Sequence, residues 1–193
     1  MKMTIEEIFS NILTHMAKGL LIHNQMASLY GFLNLCGYQK CQEYHYYEES
    51  RNYRNLQNFF LTHYNKMIHE NTVEQPEVIP NNWYKFTKME VDANNKRSAV
   101  KDIMKKWVEW EKETKTLLEL SYKQLYELGE IDCAIKIASL IKDVSKELAG
   151  AQEMYINLES MGYDIVYIID WQPDLYKQYC KKIKGIYEGD END

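Results

Sequence analysis

A single acidic residue interrupts an apolar stripe in the second half of this 193-residue chain. At helical spacing, one face of a predicted helix runs from Val100 to Leu128 and places Glu111 between Trp107 and Thr114. A lone carboxylate on a buried face is costly unless it has a partner. Glu111 is therefore either a metal ligand or a carboxylate that is paired inside the fold or reaches toward the edge of the stripe.

Four further residues are candidate metal ligands: His63, Glu147, His23 and Glu49. His23 and Glu49 are expected at nearly the same height on adjacent helices if the chain turns back at Gly37. Alternatively, a rearranged site combines His63 with Glu111 and Glu147. Each residue also has an ordinary explanation. A core histidine such as His63 is usually hydrogen-bonded, and His23 and Glu49 can form a polar core pair. Glu147 forms an i, i+4 pair with Asp143, and such acidic pairs usually face solvent.

Composition narrows the class of protein. The low counts of glycine (8) and proline (3) favour long helices, and the length predicts one domain over residues 1–193. The net charge of −6 argues against nucleic acid as a partner. Four cysteines without CxxC spacing predict free thiols and a cytoplasmic setting. No apolar run reaches 18 residues, so no membrane partner is expected, and no nucleophile motif supports covalent catalysis.

Four long helices and a short fifth one are predicted, at residues of about 4–36, 38–70, 97–128, 130–161 and 172–186. Thr4 and Glu7 fit a capping box at the first helix start. Gly37 and Gly129 are predicted to end the first and third helices. Each pair of helices that is joined by a tight turn must fold back antiparallel.

The second connection and the last helix follow from the positions of proline. Residues 71–96 have no sustained stripe, and they contain Pro76 and Pro80. A connection of this length is expected where the chain crosses over along a bundle. Near Trp171 the fifth helix is predicted to begin, with Pro173 in its first turn.

This order of elements resembles ferritins and bacterioferritins. The local match includes Glu111, the Gly129 turn and the stretch 152–162, and Asn24 with Gln25 is similar to bacterioferritins. The resemblance covers about residues 5–162. It implies an all-α, ferritin-like antiparallel four-helix bundle with a long crossover between helices two and three. In such bundles two irons are held by a glutamate from each of two helices and Glu-x-x-His from each of the others.

The chain departs from that pattern because no Glu-x-x-His occurs in it. The residues three positions before the five histidines are Ile12, Leu20, Gln42, Phe60 and Lys66. On the third helix Glu111 matches the family glutamate. On the fourth, Val144 takes the place of the family ligand, and Glu147 follows one turn later. At most two or three ligands are therefore expected to remain.

Two alignments with the family pattern are open for the first two helices. An alignment that is anchored at Gly37 places at the metal positions Gly19, Asn52 and Asn55. Another, anchored at His63, places there Gln25, Phe60 and His63. The first is preferred because it needs no long turn.

Three functional hypotheses follow. The lead hypothesis is a non-catalytic ferritin-like protein with a degenerate di-iron centre, without a cofactor, that acts in self-association as a homo-oligomer or in binding a protein partner. The alternative is a divergent iron-binding ferroxidase, or another metal-dependent oxidase, with a rearranged site. A third hypothesis is a small-molecule binder with a pocket of tyrosine and tryptophan side chains.

Overall fold

The computed structural model describes residues 3–79, 87 and 91–188. It contains α1 (Ile5–Phe32), α2 (Cys36–Tyr64), α3 (Ala93–Leu128), α4 (Ile131–Ser160) and α5 (Ile165–Glu188). Within those residues no strand occurs, which confirms the predicted all-α class for them. None of the helices in this part of the chain has a segment that is both long and apolar enough to cross a bilayer.

The first four helices form two hairpins. Residues 33–35 join α1 to α2, and residues 129–130 join α3 to α4, so each pair folds back on itself. The hairpins meet mainly through α1 and α3, while α5 packs on α2 and also reaches α3. The predicted crossover, residues 71–96, lies partly outside the described residues, and α3 already begins within it.

Local capping explains where α1 and α3 begin and where α3 ends. Thr4 and Glu7 form the predicted capping box, in which the Thr4 hydroxyl accepts from the Glu7 amide at 3.2 Å and the Glu7 carboxylate accepts from the Thr4 amide at 2.7 Å. Gly129 ends α3 in the left-handed conformation with φ of 82°, as predicted. Asp92 and Asn95 cap each other, at 2.7 and 3.1 Å. This second capping box starts α3 four residues earlier than predicted.

The predicted role of Gly37 is wrong. The left-handed residue after α1 is Asn34, with φ of 57°, and asparagine tolerates this conformation better than most residues. Gly37 instead lies inside α2, where a Cβ atom would come within 2.3 Å of the Gln172 carbonyl oxygen on α5. The glycine is therefore needed for the close approach of two helices. Asn65, also left-handed, follows the last residue of α2, so the predicted end near residue 70 is wrong too.

The fifth helix is 24 residues long, not the short segment predicted. It begins at Ile165 because the Asp164 carboxylate accepts hydrogen bonds from the amides of Val166 at 2.8 Å and Tyr167 at 3.2 Å. Pro173 consequently lies inside the helix, not in its first turn. The extra length lets α5 cover much of the outer side of α2.

A polar layer divides the apolar core in two. One cluster of buried apolar side chains occupies one end of the helices, and a second cluster occupies the other end. On α1 the gap between the clusters lies between Met16 and Ile22, and on α4 it lies between Val144 and Ala151. On α2 the gap lies between Cys41 and Leu56, and on α3 it lies between Trp110 and Leu118. These two gaps contain candidate metal ligands, among them Glu49 and Glu111.

Candidate metal centre

Six glutamate and histidine side chains meet in the polar layer: His23, His45, Glu48, Glu49, Glu111 and Glu147. Helix α1 supplies one of them, α2 supplies three, and α3 and α4 supply one each. They fall into two neighbouring groups. Each group contains one imidazole and carboxylates from more than one helix, which is the usual composition of a metal site that is built inside a helical bundle.

The first group surrounds His23. Its Nε2 atom lies 3.8 Å from Glu49 Oε2 and 3.9 Å from Glu111 Oε1. These separations are too long for hydrogen bonds. Two donors that share one metal ion at bonds of about 2.0–2.2 Å, however, lie about 3–4 Å apart. On the other side of the ring, His23 Nδ1 donates to Gln42 Oε1 at 2.8 Å, so the lone pair of Nε2 faces the two carboxylates.

The second group lies around His45. Its Nδ1 atom is 3.7 Å from Glu147 Oε2, and the ligand atoms of His45, Glu48 and Glu147 all lie within 4.8 Å of one another. The rings of His23 and His45 stack with their centroids 5.6 Å apart. The two groups adjoin each other, and among the described residues of the layer the second has three ligand atoms at the spacing of a metal site.

Buried atoms in this layer lack hydrogen-bond partners among the described residues. They are Glu49 Oε2, Glu48 Oε2 and His45 Nδ1. Buried polar atoms in folded proteins nearly always have a partner, and an exception is usually explained by a water molecule or an ion. Glu49 Oε2 lies 3.8 Å from His23 Nε2, and His45 Nδ1 lies 3.7 Å from Glu147 Oε2. The unpartnered atoms therefore face the two candidate metal positions.

Two neighbours orient the carboxylates of the first group. Trp107 Nε1 donates a hydrogen bond to Glu111 Oε1 at 2.9 Å, which holds that carboxylate toward His23. Gly19 lies opposite Glu49, and a Cβ atom at position 19 would come within 2.2 Å of both carboxylate oxygens. Glycine in a helix interior costs about 1 kcal/mol relative to alanine. Here it makes room for a carboxylate that reaches across from α2.

Burial favours the uncharged forms of these groups in the protein alone. It raises the pKa of Glu49 and of Glu111 well above the ordinary value, with repulsion from neighbouring carboxylates as a further cause. Burial also raises the pKa of Glu147 to about 7 and lowers the pKa of His23 to about 3 and of His45 to about 4. Neutral imidazole is the metal-binding form, and cations would favour the ionised carboxylates. Four carboxylates balance the charge of two divalent ions.

A cavity of about 290 Å³ opens beside the second group. Its wall includes Glu48 and Glu147 from the polar layer, and α5 contributes Tyr179 and Lys182. The Lys182 ammonium lies 5.0 and 4.8 Å from the ring centroids of Tyr44 and Tyr179. The cavity gives small molecules and ions a route to the second position.

Four of the five ligands that were predicted from the sequence lie in this layer. Glu111 and Glu147 are there, and His23 and Glu49 do lie at the same height, 3.8 Å apart. His63 is elsewhere, because it follows Glu49 by 14 residues on α2, about 21 Å along the helix axis. The structure thus does not bring His63 together with Glu111 and Glu147, and metal binding by the other four stays a prediction.

Sequence reasoning missed His45 and Glu48. Their order, His-x-x-Glu, has the same three-residue spacing as Glu-x-x-His but runs in reverse, and the spacing alone places both side chains on one helix face. In this part of α2 the buried polar side chains are those of Gln42 and His45. At most two or three ligands were expected, whereas six potential donors meet in the layer.

The chain was compared with models of protein families, with curated proteins and with solved structures, and no match was found in any of the three comparisons.

Proposed function

We propose that this protein is a ferritin-like antiparallel four-helix bundle, with a long crossover, that binds two iron ions in its polar layer and oxidises ferrous iron. The observation that carries the proposal is the meeting of four glutamates and two histidines from four helices, with unpartnered buried atoms between them. The same number of glutamates and histidines holds the two metals of di-iron carboxylate proteins. This proposal takes up the alternative hypothesis, the divergent ferroxidase.

The donor types favour iron over other common metals. Carboxylates suit hard ions such as Mg²⁺ and Mn²⁺, imidazole suits iron and zinc, and thiolates select copper(I) and zinc. The six donors of the layer combine carboxylate and imidazole without a thiolate. Iron is therefore the best match, and manganese is the closest competitor.

Ferrous iron would be the substrate and dioxygen the oxidant. Two Fe²⁺ ions would each give up one electron, and O₂ with two protons would take up both electrons as H₂O₂. In this reaction the residues of the chain bind and orient the ions. Trp107 holds Glu111, Gln42 holds His23, and the cavity beside Glu147 connects the site with solvent.

The lead hypothesis, a non-catalytic bundle, remains the second candidate. The reversed order of His45 and Glu48 departs from the family pattern, and apolar side chains are available on the surface. Ile131 and Ile135 lie one turn apart on α4 and are 47% and 63% exposed. Such side chains suit contact with a second copy of the chain or with a protein partner.

Anaerobic titration of ferrous iron into metal-free protein, followed by admission of oxygen, tests the proposal. We expect two ions per chain and oxidation faster than in buffer. Glu111→Gln should lose at least one ion, whereas Glu109→Gln, an exposed change on the same helix, should lose none. Two bound ions without faster oxidation would remove the activity and leave a metal protein. Absence of tight binding in the wild-type chain would reject the metal centre and favour the non-catalytic bundle.

A further inference from the structure

A second group of potential metal ligands lies at the far end of the bundle from the polar layer. It consists of His63 near the end of α2, Glu130 in the turn before α4, and Cys133 in the first turn of α4. One ligand atom from each of the three lies within 4.8 Å of the others. The group shares no residue with the polar layer and is therefore independent of the proposed function.

Local structure brings the three side chains together. The His63 side chain is exposed, but its ring stacks on Phe59 with centroids 5.5 Å apart and meets Tyr64 edge-on at 4.7 Å. The left-handed Gly129 directs the chain so that Glu130 directly precedes α4. Cys133 is fully buried one turn later. The histidine and the cysteine thus come from different hairpins.

Tyr64 connects two of the three ligands. Its hydroxyl group donates to Glu130 Oε2 at 2.7 Å and lies 3.1 Å from Cys133 Sγ. Such a contact orients the carboxylate and leaves its other oxygen free for a metal ion, as second-shell groups do at metal sites. The tyrosine would keep this position when an ion is bound.

We propose that His63, Glu130 and Cys133 bind one Zn²⁺ ion, with a water molecule as the fourth ligand. A thiolate together with an imidazole and a carboxylate suits zinc, whereas the six donors named in the polar layer include no sulfur. The three donors lie within 4.8 Å of one another, close to the separations of about 3–4 Å that tetrahedral zinc requires, and the exposed His63 ring can turn toward the ion. The ion ties the end of the α1–α2 hairpin to the start of α4.

Cobalt(II) titration of the wild-type full chain tests the proposal, because a thiolate bound to cobalt gives a charge-transfer absorption band in the near ultraviolet. We expect one such band that saturates at one ion per chain and disappears when zinc is added. Cys133→Ser should abolish the band. His63→Gln changes an exposed side chain, so it should fold and weaken binding by about tenfold or more.

Two matched controls separate this site from others. Cys36→Ser removes an exposed thiol, and Glu111→Gln alters the polar layer; both should leave the band unchanged. Zinc should also raise the melting temperature of the wild type more than that of His63→Gln. Absence of the band, its survival in Cys133→Ser, or its loss in Cys36→Ser would overturn the proposal. Loss of the band in Glu111→Gln would also overturn it, whereas failure of iron oxidation would not.

Discussion

Gly19 on α1 lies so close to Glu49 on α2 that a methyl group in its place would come within 2.2 Å of both carboxylate oxygens. The Gly19→Ala variant must therefore move the carboxylate away from His23. We predict that this variant binds iron about tenfold or more weakly than the wild type, measured by anaerobic titration. Gly185→Ala is the control, because nothing lies within 4 Å of its added Cβ atom.

A double-mutant cycle separates this contact from a general effect on α1. In Glu49→Ala the carboxylate is absent, so adding Gly19→Ala should cause no further loss and should recover the helix propensity of alanine, up to about 1 kcal/mol. The measurement is urea unfolding of the four proteins without metal. Equal destabilisation by Gly19→Ala in both backgrounds would contradict the proposed contact.

Glu111→Gln should have opposite effects on stability and on metal binding. Glu111 is buried, and burial together with the neighbouring carboxylates disfavours its charged form. Glutamine keeps the oxygen that accepts from Trp107 and removes the cost of protonating the carboxyl group or of burying its charge. We predict that the metal-free variant melts at a higher temperature than the metal-free wild type and gains less stability from added iron. A lower melting temperature without metal would show that the carboxylate itself stabilises the fold.

Local signals in the sequence predicted the helix ends that depend only on nearby residues. The capping box of Thr4 and Glu7 and the left-handed Gly129 involve residues at most four positions apart, so their effect needs no knowledge of the rest of the fold. Gly37 was misassigned because its reason lies on another helix, at Gln172. The Asp164 carboxylate, which starts α5 early, is also a local signal, but it was not recognised in the sequence as an N-cap.

The buried face of α2 depends on tertiary packing. Both α1 and α5 pack on α2, and the ring of Tyr179 from α5 lies 6.2 Å from that of His45. With a short α5 at residues 172–186, burial of this side of α2 is not expected from the sequence. Glu111 could be found from helical periodicity, His23 and Glu49 from their predicted heights on adjacent helices, and Glu147 from its place one turn after Val144 in the comparison with the family pattern. To predict His45 and Glu48 as candidate ligands, one would have to recognise the His-x-x-Glu spacing or know that α5 packs on α2.

His15 should make the protein less stable in acid. Its Nε2 atom lies 2.7 Å from Thr114 Oγ1, its ring stacks on Trp110 at 4.0 Å, and burial lowers its pKa to about 4. The unfolded chain, with a histidine pKa near 6.5, therefore binds more protons between pH 4 and 6.5. The stability that neutral His15 contributes is complete above pH 6.5 and falls, by about 2–3 kcal/mol in total, as the pH drops to 4.

The variant His15→Gln separates the loss of stability in acid that His15 causes from the losses that other histidines cause. Lys18 on α1 adds to the lowered pKa, and Lys112 and Glu113 on α3 line the same surface depression as His15. Urea unfolding between pH 4 and 7.5 should show a smaller loss in His15→Gln than in the wild type. His69→Gln, an exposed change, should follow the wild type. Parallel curves for the wild type and His15→Gln would contradict the assignment.

The close contact of Gly37 with the backbone of Gln172 determines how near α5 packs to α2. A Cβ atom at position 37 would come within 2.3 Å of the Gln172 carbonyl oxygen and 2.9 Å of its Cα, and these backbone atoms can move only if the helix moves. Gly37→Ala should therefore lower the free energy of unfolding by about 1–3 kcal/mol, the usual cost of overpacking. Gly150→Ala, which meets nothing within 4 Å, should be neutral or stabilising.

Hydrogen exchange locates the effect of Gly37→Ala. If α5 loses its close contact with α2, amides of α5 should exchange faster while those of α3 and α4 keep their protection. The same change should widen the cavity beside His45, because Tyr179 and Lys182 on α5 form part of its wall. Unchanged exchange in α5, with the loss of stability spread evenly over all helices, would show that the glycine serves α2 alone.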